Sequence, residues 1–279
     1  MTPRPPIPKR RAPIPILVYH QTTTPPPPDV RSWRLTISPD TFARQLRALR
    51  AFGFRGLSMR DLEPYLRGDK VGRVVGITLD DGYLNNYEHA LPILQGVGFT
   101  ATSYVVSGQL GGSNVWDHAA GIPATPLMDV AHLKTWLAAG MDVGAHTRRH
   151  ANLLECDAAS ARDEMAGSKR DLEDALGVEV RHFSYPYGQH RLAHADMASD
   201  AGYLTATTVV QARVRRDDDL LLLPRISVHA ETTIPLLLAQ VATCIEELRQ
   251  LRRGVRPGDW TVRPVYAGEV SSRGGRPVH

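Results

Sequence analysis

Cysteine is nearly absent from this chain, which holds only Cys156 and Cys244 in 279 residues. Neither belongs to a Cys-x-x-Cys pair, so neither a thiolate zinc cluster nor a disulfide framework is indicated. Two buried free thiols are the default, a state that tolerates a reducing compartment. Long apolar runs are also missing, and none approaches the ~20 residues of a membrane span. Residues 1–13 carry five prolines and four basic side chains and no apolar stretch of the length a secretory signal core requires. The expectation is a cytoplasmic protein without a transmembrane segment, unless the true start lies upstream. The net charge of +4 is concentrated at the ends, with Arg4, Lys9, Arg10 and Arg11 at one and Arg249, Arg252, Arg253, Arg256, Arg263, Arg273 and Arg276 at the other. No aromatic interleaving or nucleic-acid motif accompanies them, so they read as solvated tails with no nucleic-acid partner. No internal repeat or second domain is visible.

What is present is alternation. Hydrophobic residues make up 42% of the chain, enough for a sizeable core. Residues 1–13 and the proline run at Thr23–Asp29 are unsuited to regular structure, and Ile14–His20 between them reads as a strand. Ser38-Pro39 opens a helix with a capping serine and a proline at the first helical position. Ser58 starts a second, shorter one. Strands at 74–79, 100–106, 141–145, 181–185, 204–209 and 220–228 then alternate with helices at 87–95, 130–139, 158–176, 192–201 and 234–253. Such alternation implies a parallel sheet with helices outside it. The expected organisation is a flexible Pro/Arg-rich segment 1–13, a single catalytic domain 14–253, and a loosely ordered tail 254–279.

Two of these strands stop on groups that bind metals. One apolar run, Val74-Val75-Gly76-Ile77, leads into Thr78-Leu79-Asp80-Asp81-Gly82, and another ends at His146-Thr147-Arg148-Arg149-His150. Two imidazoles four residues apart plus one carboxylate make an open three-ligand site, the arrangement that leaves a coordination position for water. The second carboxylate is then available to take that water's proton. The spacing does not say which aspartate does which. In an α/β barrel chemistry sits at the carboxyl ends of the strands, where Asp80, Asp81, His146, His150, Pro186-Tyr187 and His20 all fall.

These motifs resemble those of the polysaccharide deacetylases, the carbohydrate esterases of family 4. Thr78–Gly82 matches T-F-D-D-G with Leu79 for Phe, and His146–His150 matches H-[ST]-x-x-H. Ser184-Tyr185-Pro186-Tyr187-Gly188 matches the third motif, R-x-P-Y-G, with Ser184 for Arg. The Ile14–His20 opening is similar to the subgroup acting on exopolysaccharides. The resemblance implies a distorted (β/α) barrel of six to eight parallel strands. It implies Asp81, His146 and His150 as ligands of a divalent metal, zinc first, with nickel, cobalt or iron fitting the same donors. It further implies Asp80 as general base and the Tyr187 backbone N–H as an oxyanion donor, with Pro186 beside it at the substrate.

The chain departs from the family in two places. The arginine that orients the catalytic aspartate is replaced by Ser184, and no Asp-x-x-Trp pair follows the third motif. Arg225 is either the replacement for that arginine, a substrate-binding group, or one half of a structural ion pair. The general acid is open between His20 and His229, each at a strand end. Asp117, after Trp116, is placed to line the substrate cleft. His89, His118, His132, His182, His190 and His194 read as surface or packing histidines. The function expected is hydrolysis of N-acetyl groups from amino sugars of a polysaccharide, an exopolysaccharide or cell-envelope glycan. The alternatives are deformylation or deacetylation of a lipid-linked sugar at the cytoplasmic membrane face, and a non-catalytic glycan-binding relative.

Overall fold

The computed structural model describes residues 12–28 and 30–252. The expected tail 254–279 and nearly all of the segment 1–13 therefore lie outside the described residues. Strands β1 (Ile16–Tyr19), β2 (Gln21–Thr22), β3 (Thr36–Ile37), β4 (Arg55–Leu57) and β5 (Val74–Leu79) form the first part of the chain, with helices α1 (Pro39–Ala51) and α2 (Met59–Arg67) between them. Then follow α3 (Leu91–Val97), β6 (Thr102–Val105), α4 (Val130–Ala138), β7 (Asp142–Ala145), α5 (Ala158–Leu176), β8 (His182–Ser184), α6 (Leu192–Asp200), β9 (Thr205–Thr207) and β10 (Ile226–Ser227). Helices α7 (Ile234–Ala242) and α8 (Ile245–Arg252) close the described chain.

The main sheet runs β10-β1-β5-β6-β7-β8-β9, with β4 also paired to β5, and every pairing is parallel. It curls into a distorted (β/α) barrel, and the helices lie around it. A single parallel bridge, Thr207↔Leu223, joins its two margins. Every residue of β1, β5, β6 and β7 is buried, as expected of parallel strands covered on both faces. Ser38 caps α1 by accepting from Thr41 N, and Ser58 caps α2 by accepting from Asp61 N. Gly144 in β7 is required by close approach, because a Cβ there would stand 2.5 Å from the Tyr104 ring.

Three expectations are corrected. The long last strand, 220–228, shrinks to β10, because Leu222 and Leu223 turn inward to bridge the seam and only Ile226–Ser227 pairs with β1. The last helix is broken at Thr243, whose hydroxyl bonds Ala239 O, and Cys244 there is exposed rather than buried. A short strand, β4, was not visible, since Arg55-Gly56-Leu57 has no alternation of its own. No helix among the described residues is long and apolar enough to cross a membrane.

Candidate active site

The Asp80-Asp81 pair leaves the carboxyl end of β5. Asp80 N donates to Tyr19 O, continuing the ladder with β1, and then Asp81 swings into the left-handed region at φ 74°. Adjacent carboxylates thereby face different ways. Among the described residues four non-glycine positions have positive φ: Asp81, Thr147, His150 and Tyr187. All four belong to the three motifs. Each such residue costs of order 1–3 kcal/mol and persists only where surrounding structure enforces it.

His146 and His150 follow β7 and turn their Nε2 atoms onto one oxygen, Asp81 Oδ1, at 3.5 and 3.3 Å. The three donor atoms lie within 4.8 Å of one another, and all three residues are buried. Donors held about 2.0–2.2 Å from a common ion in a tetrahedron are about 3.3–3.6 Å apart, so the spacing suits a divalent metal. His146 Nδ1 bonds the Ser184 carbonyl at 2.7 Å. That contact puts the ring proton on Nδ1 and leaves the Nε2 lone pair free for a metal, as metal-binding imidazoles require. Burial would raise Asp81, but its close contacts with His146 and His150, helped by the charge of His20, outweigh it and hold the carboxyl well below its ordinary range. Burial lowers His150 despite Asp81, which favours the neutral, ligating imidazole.

Asp80, the neighbour of Asp81, is gripped by Arg225. Nη1 donates to Oδ1 and Nη2 to Oδ2, both at 2.7 Å. The remaining guanidinium donors go to Thr208 O at 2.9 Å, Thr78 Oγ1 at 3.1 Å and Ser184 Oγ at 3.0 Å. Arg225 is fully buried, and all five of its N–H groups are committed. It has no donor left for a substrate, which corrects that expectation. Ser184 occupies the position where the resembling motif has arginine, and its hydroxyl now braces the arginine supplied from just ahead of β10. Burial would raise Asp80, yet the charge and hydrogen bonds of Arg225, helped by the charges of His146 and His20, keep it below its ordinary value.

The third motif forms a tight turn, Pro186–Gly188, in which Gly188 N donates to Tyr185 O and Gln189 N to Pro186 O. Pro186 is buried and the Tyr187 side chain partly exposed. The Tyr187 ring sits edge-on to His150 at 4.5 Å. Gly188 has φ 66°, and any Cβ there would run into Val209. Trp116 is stacked on His150 at 4.6 Å with 20° between the planes. The sequence marks Trp116 only as the neighbour of Asp117, with no role of its own. The available signal was its place in a glycine-bounded loop between two barrel strands.

The two histidines offered as general acid are placed differently. His20 is half-buried at the end of β1, and its charge acts on Asp80, Asp81 and Asp117. His229 bonds Arg34 O through Nδ1 at 3.2 Å, and the charges acting on it most strongly are those of Arg34, Glu231 and His20. Burial lowers its pKa. Of the histidines read as surface or packing groups, His182, His190 and His194 are buried. His182 bonds Thr205 Oγ1 at 2.9 Å near the opposite, amino end of the strands, and His132 caps α4 with Asp129.

Comparison with known proteins follows the same lines. Residues 67–206 match the family model described as Polysaccharide deacetylase. The chain is 25% identical over 222 residues to YxkH of Bacillus subtilis, covering 79% of this chain and 73% of that one. Among solved structures it resembles the Streptococcus pyogenes deacetylase PplD in complex with acetate, at TM-score 0.72 and 25% identity, covering 83% of this chain and 99% of that one. IcaB from Ammonifex degensii gives TM-score 0.67 and 26% identity, covering 83% and 98%.

Proposed function

Because this chain belongs to the polysaccharide deacetylase family, we propose that it hydrolyses N-acetyl groups on the amino sugars of a polysaccharide, with a divalent metal, zinc first, held by Asp81, His146 and His150. The observation that carries this reading is the Asp80 carboxylate, immobilised by Arg225 directly beside the Asp81–His146–His150 donors. When bound, such a metal lowers the pKa of water toward about 7 and polarises the scissile carbonyl.

Asp80, ionised in the folded protein, takes the proton of the attacking water. Arg225 acts as a positioning residue that holds the carboxylate in one orientation. As the carbonyl oxygen gains charge, the Tyr187 N–H at the Pro186 turn is the donor aimed at it. The C–N bond then breaks, acetate leaves, and the amine nitrogen must gain a proton. His20 is the proposed source, since its charge reaches Asp80 and Asp81. His229, tied to Arg34 and lowered by burial, is poorly suited to hold a proton at neutral pH. Trp116 and the Tyr187 ring flank His150 and offer aromatic surface for the apolar face of a sugar ring.

An exopolysaccharide or cell-envelope glycan is the proposed polymer. The test is acetate release from N-acetylglucosamine oligomers by the purified protein. Release should be abolished by a chelator and restored by zinc. A protein that binds the oligomers yet releases no acetate with any divalent metal is instead a glycan-binding relative.

A further inference from the structure

One acidic group beside the metal-ligand residues is not used by this chemistry. Asp117 sits in the loop between β6 and α4, and that loop is fastened to the turn that follows Asp80-Asp81. Met128 N donates to Gly82 O at 2.9 Å, Leu84 N donates to Pro126 O at 2.9 Å, and Tyr83 bridges Leu127. Fully buried Asn114 holds the loop together. Its Oδ1 accepts from Thr125 N at 2.6 Å, and its Nδ2 donates to Asp117 Oδ2 at 3.2 Å. Trp116, the preceding residue, is the ring stacked on His150. Asp117 is therefore held by a fixed loop beside the ring that stacks on His150, and it is half-exposed.

Its charge is left unmatched. Asp80 has Arg225, Glu164 has Arg149, and Asp163 and Asp171 share Arg148. Among the described residues no lysine or arginine pairs with Asp117, and the positive charges that act on it are those of the His150 and His20 imidazoles. Burial and the nearby Asp81 push its pKa up, against the Asn114 hydrogen bond. A half-buried carboxylate in this position is favourable when a ligand brings a cation to it. Removal of acetyl groups creates that cation, because a freed amino sugar is an ammonium at neutral pH.

We propose that Asp117 is a specificity-determining residue that receives the ammonium group of a glucosamine unit, so that the site favours glycan chains already carrying free amines. The proposal rests on the deacetylase reading above and extends it to the pattern of substrate the enzyme selects. The ammonium comes either from the unit just deacetylated or from a neighbouring unit of the same chain.

The test is equilibrium binding by calorimetry in zinc-loaded Asp80→Asn protein, which does not consume the ligand, with and without Asp117→Asn. The replacement amide can still present its oxygen to Asn114 Nδ2, so the loop keeps its anchor. A glucosamine tetramer should bind about tenfold more weakly once Asp117 is replaced. The N-acetylglucosamine tetramer should change by less than about twofold, since it brings no charge. Asp117→Glu should restore the amine preference. Singly deacetylated dimers place the source: preference kept by glucosamine monomer points to the reacting unit, and preference confined to dimers points to the neighbour. Equal weakening of both tetramers, or no change in either, overturns the proposal and leaves the deacetylase reading intact. Failure of wild-type-loop protein to bind either tetramer overturns both. Should Asp117→Asn unfold the loop, salt decides, because tetramer binding unaffected between about 0.05 and 0.5 M salt overturns an ionic contact.

Discussion

Arg225 and Asp80 are 145 residues apart in sequence and meet through two parallel hydrogen bonds of 2.7 Å inside the barrel. The orientation of Asp80, the proposed base, is set by a residue just ahead of β10, which lies two places from β5 in the sheet. Bidentate geometry matters here as well as charge, because a planar guanidinium matches both carboxylate oxygens and an ammonium does not.

Arg225→Lys should therefore lower kcat by about 10–100-fold, the usual cost of losing a group that orients a catalytic residue, with KM and zinc content little changed. Arg225→Ala should also lose about 3–5 kcal/mol of stability by stranding a buried charge. Steady-state kinetics with chemical denaturation measures both. Unchanged kcat in Arg225→Lys would count against the positioning role.

Asp80 and Asp81 are adjacent but should fail differently. Asp80→Asn should cost about 10²–10⁴ in turnover, as removal of a general base does, while zinc stays near stoichiometric by elemental analysis. Asp81→Asn, which removes the negative charge facing both Nε2 atoms and leaves only a weak amide oxygen as donor, should lose the metal. Loss of zinc from Asp80→Asn would reverse the two assignments.

His20 and His229 are separated by one comparison. His20→Ala should reduce kcat/KM by about 10²–10³, in the range of a lost general acid, whereas His229→Ala should fall by less than about tenfold because the ring is tied to Arg34 O. The reverse ranking would move the acid to β10.

Stability should decline in two steps as pH falls. Burial lowers His150 and His182, so their contribution is present above the unfolded value of about 6.5 and is lost as pH falls through their lower folded values. Asp80 and Asp81 are held down, so theirs survives until pH drops below about 3.9. Thermal melts of metal-free protein from pH 8 to 3 should show both steps, and His182→Asn should shrink the first. A melting temperature that stays level from pH 7 to 5 is incompatible with this account.

The strand-ending donors were legible because chemistry and local periodicity coincide there. An apolar run that stops on Asp-Asp-Gly, and another that stops on His-x-x-x-His, state both an element and its functional end. The caps of α1 and α2 were legible for the same local reason, since Ser38 and Ser58 act on N–H groups three residues away. The stacking of Trp116 on His150 was not, because its loop has no periodicity and gains its place from long-range pairing with the Gly82–Leu84 turn.

By itself the sequence determined the alternation of strands and helices, the placing of Asp80-Asp81 and of His146 and His150 at strand ends, and the absence of the usual arginine at Ser184. Only the tertiary structure decided that Arg225 grips Asp80, that it has no donor left for substrate, and that His229 is tied to Arg34 O. The reason is physical. Periodicity and capping act over a few residues, whereas the sheet order β10-β1-β5 and the seam bridge Thr207↔Leu223 fix which distant side chains share the barrel interior. That order emerges from packing the whole core, not from any one segment.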